Sequence, residues 1–427
     1  MKLFNPIKTS GSGCGEPWRK RLLSIGCCVV GVLAFAPGAQ ADINEQARRI
    51  YDRLTGVLPS EEALNEMVDS MQASNGGDPN INAGDGHGVS AALMAIDAAD
   101  NDYFYSVTLK NLATPWTNRD QTVFAPLNDY TATVIGLVRD EVDFRTVLYG
   151  DVIYVGRDGI GLPAYSNSDN THYEQFESEG KDFKTDLVSR IQSSVTGLPA
   201  GAVAGVLTSR AAARAFFIAG TNRANFRFTM LNHLCNDLEQ VHDTSRIPDR
   251  IRQDVSRSPG GDSSVFLNNC IGCHSGMDPL AQAFAYYNFI DPDDDPDTDN
   301  GSIEYTPGLV QPKYLINAAN FPYGYITEND RWDNYWRQGP NQLLGWDWSG
   351  DGLPGYGNGA ASMGRELAGS EAFAQCQVTK AFRAVCLREP EDQADRDQIE
   401  AMTASFRSHN FKLKRVFAES ADYCMGE

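Results

Sequence analysis

Cys270 and Cys273 stand three residues apart with His274 directly behind them, in the stretch NNCIGCHSGMDPL, and this C-x-x-C-H occurs once in 427 residues. Two thiols at i and i+3 reach both vinyl groups of one porphyrin from a single helical turn. A histidine in the next position faces its imidazole to the iron from the same turn, so the pattern reads as the attachment site of one c-type haem. Cys270 and Cys273 are then the covalent anchors and His274 the proximal iron ligand. A zinc site would need four tetrahedral ligands, commonly as two pairs. No second C-x-x-C exists to supply the other pair. A redox dithiol calls for a strand–motif–helix setting within a βαβ pattern, and that setting is absent from the pattern around 270.

The ligand on the other face of the haem separates carriers from catalysts. Methionine opposite histidine makes a six-coordinate, high-potential electron carrier, whereas an open position admits peroxide or oxygen. Met277 lies three residues past His274, on the proximal side, and reads as packing. Met363, in the glycine-rich GYGNGAASMGREL, is the candidate distal ligand, with a core position at a helix start as its alternative. His233 and His242, in HLCNDLEQVH, read as local hydrogen-bonding or surface residues, and His87, His172 and His409 sit in polar contexts that favour exposure. Trp332, Trp336, Trp346 and Trp348 either wall a haem pocket or fill a core, and the first two are at helical i, i+4 spacing. There is no GxSxG, P-loop or HExxH, so hydrolase and nucleotide chemistry gain no support.

A covalent haem requires export, and the N-terminus reads as an export signal. Arg19, Lys20 and Arg21 precede the apolar run Leu22 to Phe35, and Ala39 and Ala41 occupy the small-residue positions of a cleavage site before Asp42. About 14 apolar residues fall short of the ~20 a membrane span needs. Cys27 sits at the start of the apolar run instead of its end, which sets a lipoprotein anchor aside. The expected location is periplasmic or secreted, with no stable membrane span.

Nine cysteines then divide cleanly. Cys14, Cys27 and Cys28 leave with residues 1–41, Cys270 and Cys273 go to the haem, and Cys235, Cys376, Cys386 and Cys424 remain as an even set. SEAFAQCQVTKAFRAVCLRE reads as one helix, on which Cys376 and Cys386 are ~15 Å apart and cannot bond each other. Two pairings stay open: Cys235–Cys376 with Cys386–Cys424, or Cys235–Cys386 with Cys376–Cys424.

Thirty-six basic residues against 56 acidic give a net charge of −20, and the segment to Ala41, with five basic residues and one acid, makes the remainder more acidic still. Such a surface disfavours nucleic acid and suits a redox partner with a basic docking face. The run Asp291 to Asp299 invites a calcium reading. Its glycine, Gly301, comes one place late for an EF-hand and Thr306 stands where a bidentate glutamate belongs, so a solvated acidic loop is expected.

The elements that would position these groups are mainly helical. NEQARRIYDRLTG ends at Gly56 as a C-cap, and LPSEEALNEMVDSM restarts from Ser60 as N-cap. TATVIGLVRDEV and FRTVLYGDVIYVG have mixed periods, and residues 151–180 read as polar loop. TDLVSRIQSSV and SRAAARAFFIAGTNRANFRFTMLNHLCNDLEQV read as helices, and two helices close the chain. The polar connector HDTSRIPDRIRQDVSRSPGGD suggests a boundary, giving a signal peptide at 1–41, an N-terminal mainly helical domain at 42–245 and a cytochrome c-like helical haem domain with long loops at 246–427.

Three stretches carry a resemblance: AGVLTSRAAARAFFIAGTNRANFRFTMLNHLC, CIGCHSGMDPLAQAFAYYNF and ELAGSEAFAQCQVTKAFRAVCLREP. In that order they resemble the planctomycete-type cytochrome c domain proteins, a family of exported proteins, and RRIYDRLTGVLPSEEAL resembles the entry of their companion domain. The resemblance implies haem on Cys270 and Cys273, His274 as ligand and the pairing Cys235–Cys376. The expected function is that of an exported mono-haem c-type cytochrome carrying single electrons, its N-terminal half a docking or scaffold module. The alternatives are a peroxidase- or oxygenase-like haem oxidoreductase with an open distal site, and a binding protein whose haem is structural or sensory.

Overall fold

Asp42 and Ser60 begin the first two helices in the way their side chains dictate. The carboxylate of Asp42 accepts from Glu45 N at 2.9 Å, and the hydroxyl of Ser60 accepts from Ala63 N at 3.2 Å, each satisfying a backbone donor left over at a helix start. α1 (Ile43–Thr55) ends on Gly56 at φ 75, and α2 is Glu61–Ser74. The computed structural model describes residues 42–77, 83–217, 221–293, 300–315 and 321–426. The expected signal segment and Asp295, Asp297 and Asp299 of the acidic run lie outside the described residues.

α3 (Val89–Ile96) and α4 (Asp129–Arg139) follow. The mixed period of TATVIGLVRDEV has a simple cause: α4 is buried on every side from Asp129 to Val138, so no polar face marks its rotation. β1 (Ile153–Gly156) and β2 (Leu187–Arg190) pair antiparallel, with Val155 opposite Val188. This overturns two expectations. TDLVSRIQSSV is a strand followed by the short helix Gln192–Thr196, and residues 151–180 hold both β1 and the helix Thr171–Ser178. The expected long helix over 209–241 is likewise interrupted. Arg210–Phe216 is one helix, and α5 (Arg223–His233) starts after Asn222, which takes a left-handed φ of 58. The Asn222 side chain donates to the carbonyls of Phe284 and Tyr287, a tertiary tie that rewards the break.

The motif helix α6 is Ile271–Ala281. β3 (Tyr287–Ile290) pairs with β4 (Ser302–Tyr305), and β5 (Arg331–Asp333) with β6 (Tyr356–Asn358). The chain closes with α7 (Gly359–Ala368), α8 (Glu371–Cys386), α9 (Gln393–Ser408) and α10 (Leu413–Cys424), more helix than the two closing elements expected. α8 carries both Cys376 and Cys386, as its pattern predicts. The described residues are mainly helical.

Residues on both sides of the 245/246 division share one hydrophobic core, running from Ile43 to Met425. α10 packs against α3 and α8. Near its end Asp422 accepts from the backbone N–H groups of Gly86 and Gly88, and Lys414 pairs with Asp97 at 3.2 Å. The expected boundary therefore marks no break in packing. Disulfides join Cys235 to Cys376 and Cys386 to Cys424, the first of the two pairings left open by spacing and the one the family resemblance implies. Among the described residues no helix is long and apolar enough to cross a membrane.

Lys380 on α8 gives a pH-dependent consequence. Its ammonium lies 4.4 Å from the centre of the Trp116 ring, and burial, aided by the charge of Arg383, pushes it down to about 7. Between that value and the ordinary lysine range the unfolded chain binds a proton that the folded chain has released, so folding stability rises with pH across this window. Lys380→Met is therefore expected to be the more stable protein at about pH 6, and its lead over the parent should shrink by about pH 10. Urea unfolding midpoints across that range test this, and a constant lead contradicts it.

Candidate functional site

The motif enters α6 through a widened helical turn, Phe266–Cys270. Cys270 and Cys273 are the free cysteines among the described residues, and both are half-buried. Successive α-helical residues rotate by about 100°, which sets His274 and Asp278 on one side of α6, Gly272 and Gly276 on the other, and Cys273 between the two. The glycines are there for close approach. A Cβ on Gly272 would lie 2.3 Å from the His242 ring, and one on Gly276 would lie 2.0 Å from the indole nitrogen of Trp336. The helix thus leans on His242 and Trp336 and turns His274 the other way, while the Cys273 thiol lies 3.4 Å from Leu238 O. Its position is fixed further by Asp243 N donating to Gly272 O and by the Ser275 hydroxyl donating to Asp243 O.

His274 is held by its own helix. Its Nδ1 lies 3.1 Å from Asp278 Oδ1, one turn on, and the imidazole plane tilts against the Phe266 ring at 6.2 Å. Nε2 makes no protein hydrogen bond among the described residues. Asp278 is fully buried and accepts from Arg223 Nε at 2.7 Å, while the same guanidinium donates to Asp254 at 2.8 Å. Arg252, also fully buried, brings Nη2 within 3.8 Å of Asp278 and donates to Thr221. Burial alone would raise the Asp278 carboxyl. The charge of Arg223 outweighs it, with help from His274 and Arg252, and holds the group well below the usual carboxylate range.

The Cys273 thiol is pushed up, first by burial and then by the charge of Glu239 and its neighbours. A nucleophilic thiol needs the opposite shift, so Cys273 is poorly suited as the attacking sulfur of a thiol–disulfide exchange. Among the described residues no group of three or more His, Cys, Asp or Glu side chains gathers as a metal cage. The donor set does fit a covalent haem: two thiols outside any disulfide one turn apart and an imidazole engaged at Nδ1 alone.

The other candidates separate from this centre. Met363 is fully buried on α7 within the main core, whereas Phe266, the ring beside His274, belongs to a small separate cluster with Ile251 and Val255. Met277 is buried in the main core too. Trp332 and Trp336 are both buried but share no helix: one lies on β5 and the other in a tight turn, and Trp332 donates to the Ser362 hydroxyl. Trp346 donates to the Trp336 carbonyl, and Trp348 packs by Phe411. His233 is buried and bonded through Nε2 to the Tyr130 hydroxyl at 2.6 Å. His172, expected to be exposed, is buried, accepting from Gly156 N at 2.9 Å and bonded through Nδ1 to Pro163 O. His409 is exposed.

Asp278, Arg223, Arg252 and Asp254 escaped the motif pattern. For Asp278 a signal existed, since it stands at i+4 from His274 within the quoted stretch. For Arg223 none did, because α5 meets α6 only in the folded chain. Compared with models of protein families, with curated proteins and with solved structures, the chain matches none.

Proposed function

We propose that the chain is an exported mono-haem c-type cytochrome that passes single electrons to and from a redox partner. Cys270 and Cys273 would hold the haem covalently through thioether bonds to its two vinyl groups. His274 would offer Nε2 to the metal, with its Nδ1 held by Asp278 at 3.1 Å. Bound haem supplies one-electron chemistry at its iron. The observation that carries this reading is the pair of free thiols one helical turn apart, followed by an imidazole whose Nε2 alone is unengaged. The two disulfides support an oxidising compartment, and the acidic composition supports a partner with a basic docking face.

We propose Met363 as distal ligand on its place after a glycine-rich loop, a role that would require it to leave the main core in which it is buried. A second reading, an oxidoreductase with an open distal position, draws support from the burial of Met363 in the main core, apart from the Phe266 cluster. The visible spectrum separates them. A low-spin protein with a methionine–iron charge-transfer band that disappears in Met363→Ala is the expected result. A high-spin resting spectrum with rapid peroxide reaction supports the second reading, and a band unchanged in Met363→Ala removes Met363 from the ligand set.

A further inference from the structure

A buried carboxylate bonded to the far nitrogen of a metal-binding imidazole does more than orient it. It fixes the tautomer, makes the ring a stronger base and favours the higher charge on the metal. Asp278 has that placement. It is fully buried, 3.1 Å from His274 Nδ1, and ion-paired with Arg223 and Arg252. Its own ties are asymmetric. Arg223 grips Oδ1 at 2.7 Å and Oδ2 at 3.3 Å, and divides its remaining reach between Asp278 and Asp254. The Arg252 guanidinium stands off at 3.8 Å, with its Nε 3.5 Å from Asp254 Oδ1. The guanidinium of Arg223 therefore competes with His274 for the same carboxylate oxygen.

We propose that Asp278 is a positioning residue that lowers the reduction potential of the site through His274, and that Arg223 sets how strongly it does so. This rests on the haem reading above. The two residues then act with opposite sign. Loss of the Asp278 charge weakens the His274 base and favours the reduced state. Loss of Arg223 frees Asp278 for His274, removes a positive charge beside the metal and favours the oxidised state. A purely structural role gives no such opposition, because loosening the site from either side lets in water alike.

The test is potentiometric titration of the purified full chain and of Asp278→Asn and Arg223→Gln, with covalent haem measured on the denatured proteins. Asp278→Asn is expected to shift the one-electron equilibrium at least tenfold toward the reduced form, which is about 59 mV. Arg223→Gln is expected to shift it toward the oxidised form, and it decides the matter alone if Asp278→Asn does not fold. Covalent haem with potentials unchanged within twofold overturns this inference and leaves the cytochrome reading intact, as do shifts of the same sign in both variants. A parent chain without covalent haem overturns both.

Discussion

Cys270→Ser combined with Cys273→Ser is expected to leave a folded chain without covalent haem, while the parent, expressed with export and haem attachment, is expected to carry one haem per chain. Mass measurement of the denatured proteins reads this directly, since only thioether-bound haem survives unfolding. The contrast with the other cysteines makes the result sharp. Cys235, Cys376, Cys386 and Cys424 are consumed in disulfides, so among the described residues the two motif thiols alone are available for addition. His274→Ala is expected to abolish the native axial ligation while the thiols remain. If the parent carries no haem, the remaining uses of the motif make different marks. A dithiol would cycle between reduced and oxidised forms with a nucleophilic sulfur, against the upward push on Cys273. A zinc site would bring about one equivalent of metal, removable by chelator, together with ligands from elsewhere.

How much of this was legible depended on whether the deciding force was local. The caps of α1 and α2 and the continuity of α8 are set by residues within a few positions, and those patterns held. Trp332 and Trp336 have helical spacing yet sit on a strand and a turn. There the pairing of β5 with β6 and the turn ended by Gly339 overrode the period. TDLVSRIQSSV failed for the same reason, since Leu187–Arg190 finds its hydrogen bonds in β1, whose partner residues stand 31 to 37 positions earlier in the chain. His172 looked exposed among polar neighbours because its partners, Gly156 and Pro163, are brought to it only by the fold. At the site, the i, i+3, i+4 relations of Cys270, Cys273, His274 and Asp278 are within reach of sequence. The Arg223 and Arg252 clamp is not, because burying an aspartate next to two arginines is a tertiary solution to a desolvation cost.

Removing the long-range bridge, by Cys235→Ala with Cys376→Ala, is expected to cost about 2–5 kcal/mol in a reversible urea unfolding series. The size follows from the loop the bridge closes. Cys235 and Cys376 are 141 residues apart, against 38 for Cys386 and Cys424, and the entropy withheld from the unfolded chain grows with the logarithm of that separation. The longer bridge should therefore contribute more than the shorter, by about 1 kcal/mol in the chain-entropy account. Equal losses, or the reverse order, would show that native contacts around the sulfurs outweigh the unfolded-state term. Those contacts are present: the Gln377 side chain donates to His233 O at 3.1 Å, and His233 packs on Phe373, so α5 and α8 stay in register after the bridge is cut. For that reason the same variant is expected to keep its covalent haem. Arg223 lies at the start of α5 and Cys235 just past its end, which makes α5 the route by which a slackened bridge would reach Asp278. A lowered unfolding midpoint with an unchanged potential would show that the bridge acts on the fold alone. A potential that moves with it would mean that the position of α5, and with it the grip of Arg223, is set by the disulfide.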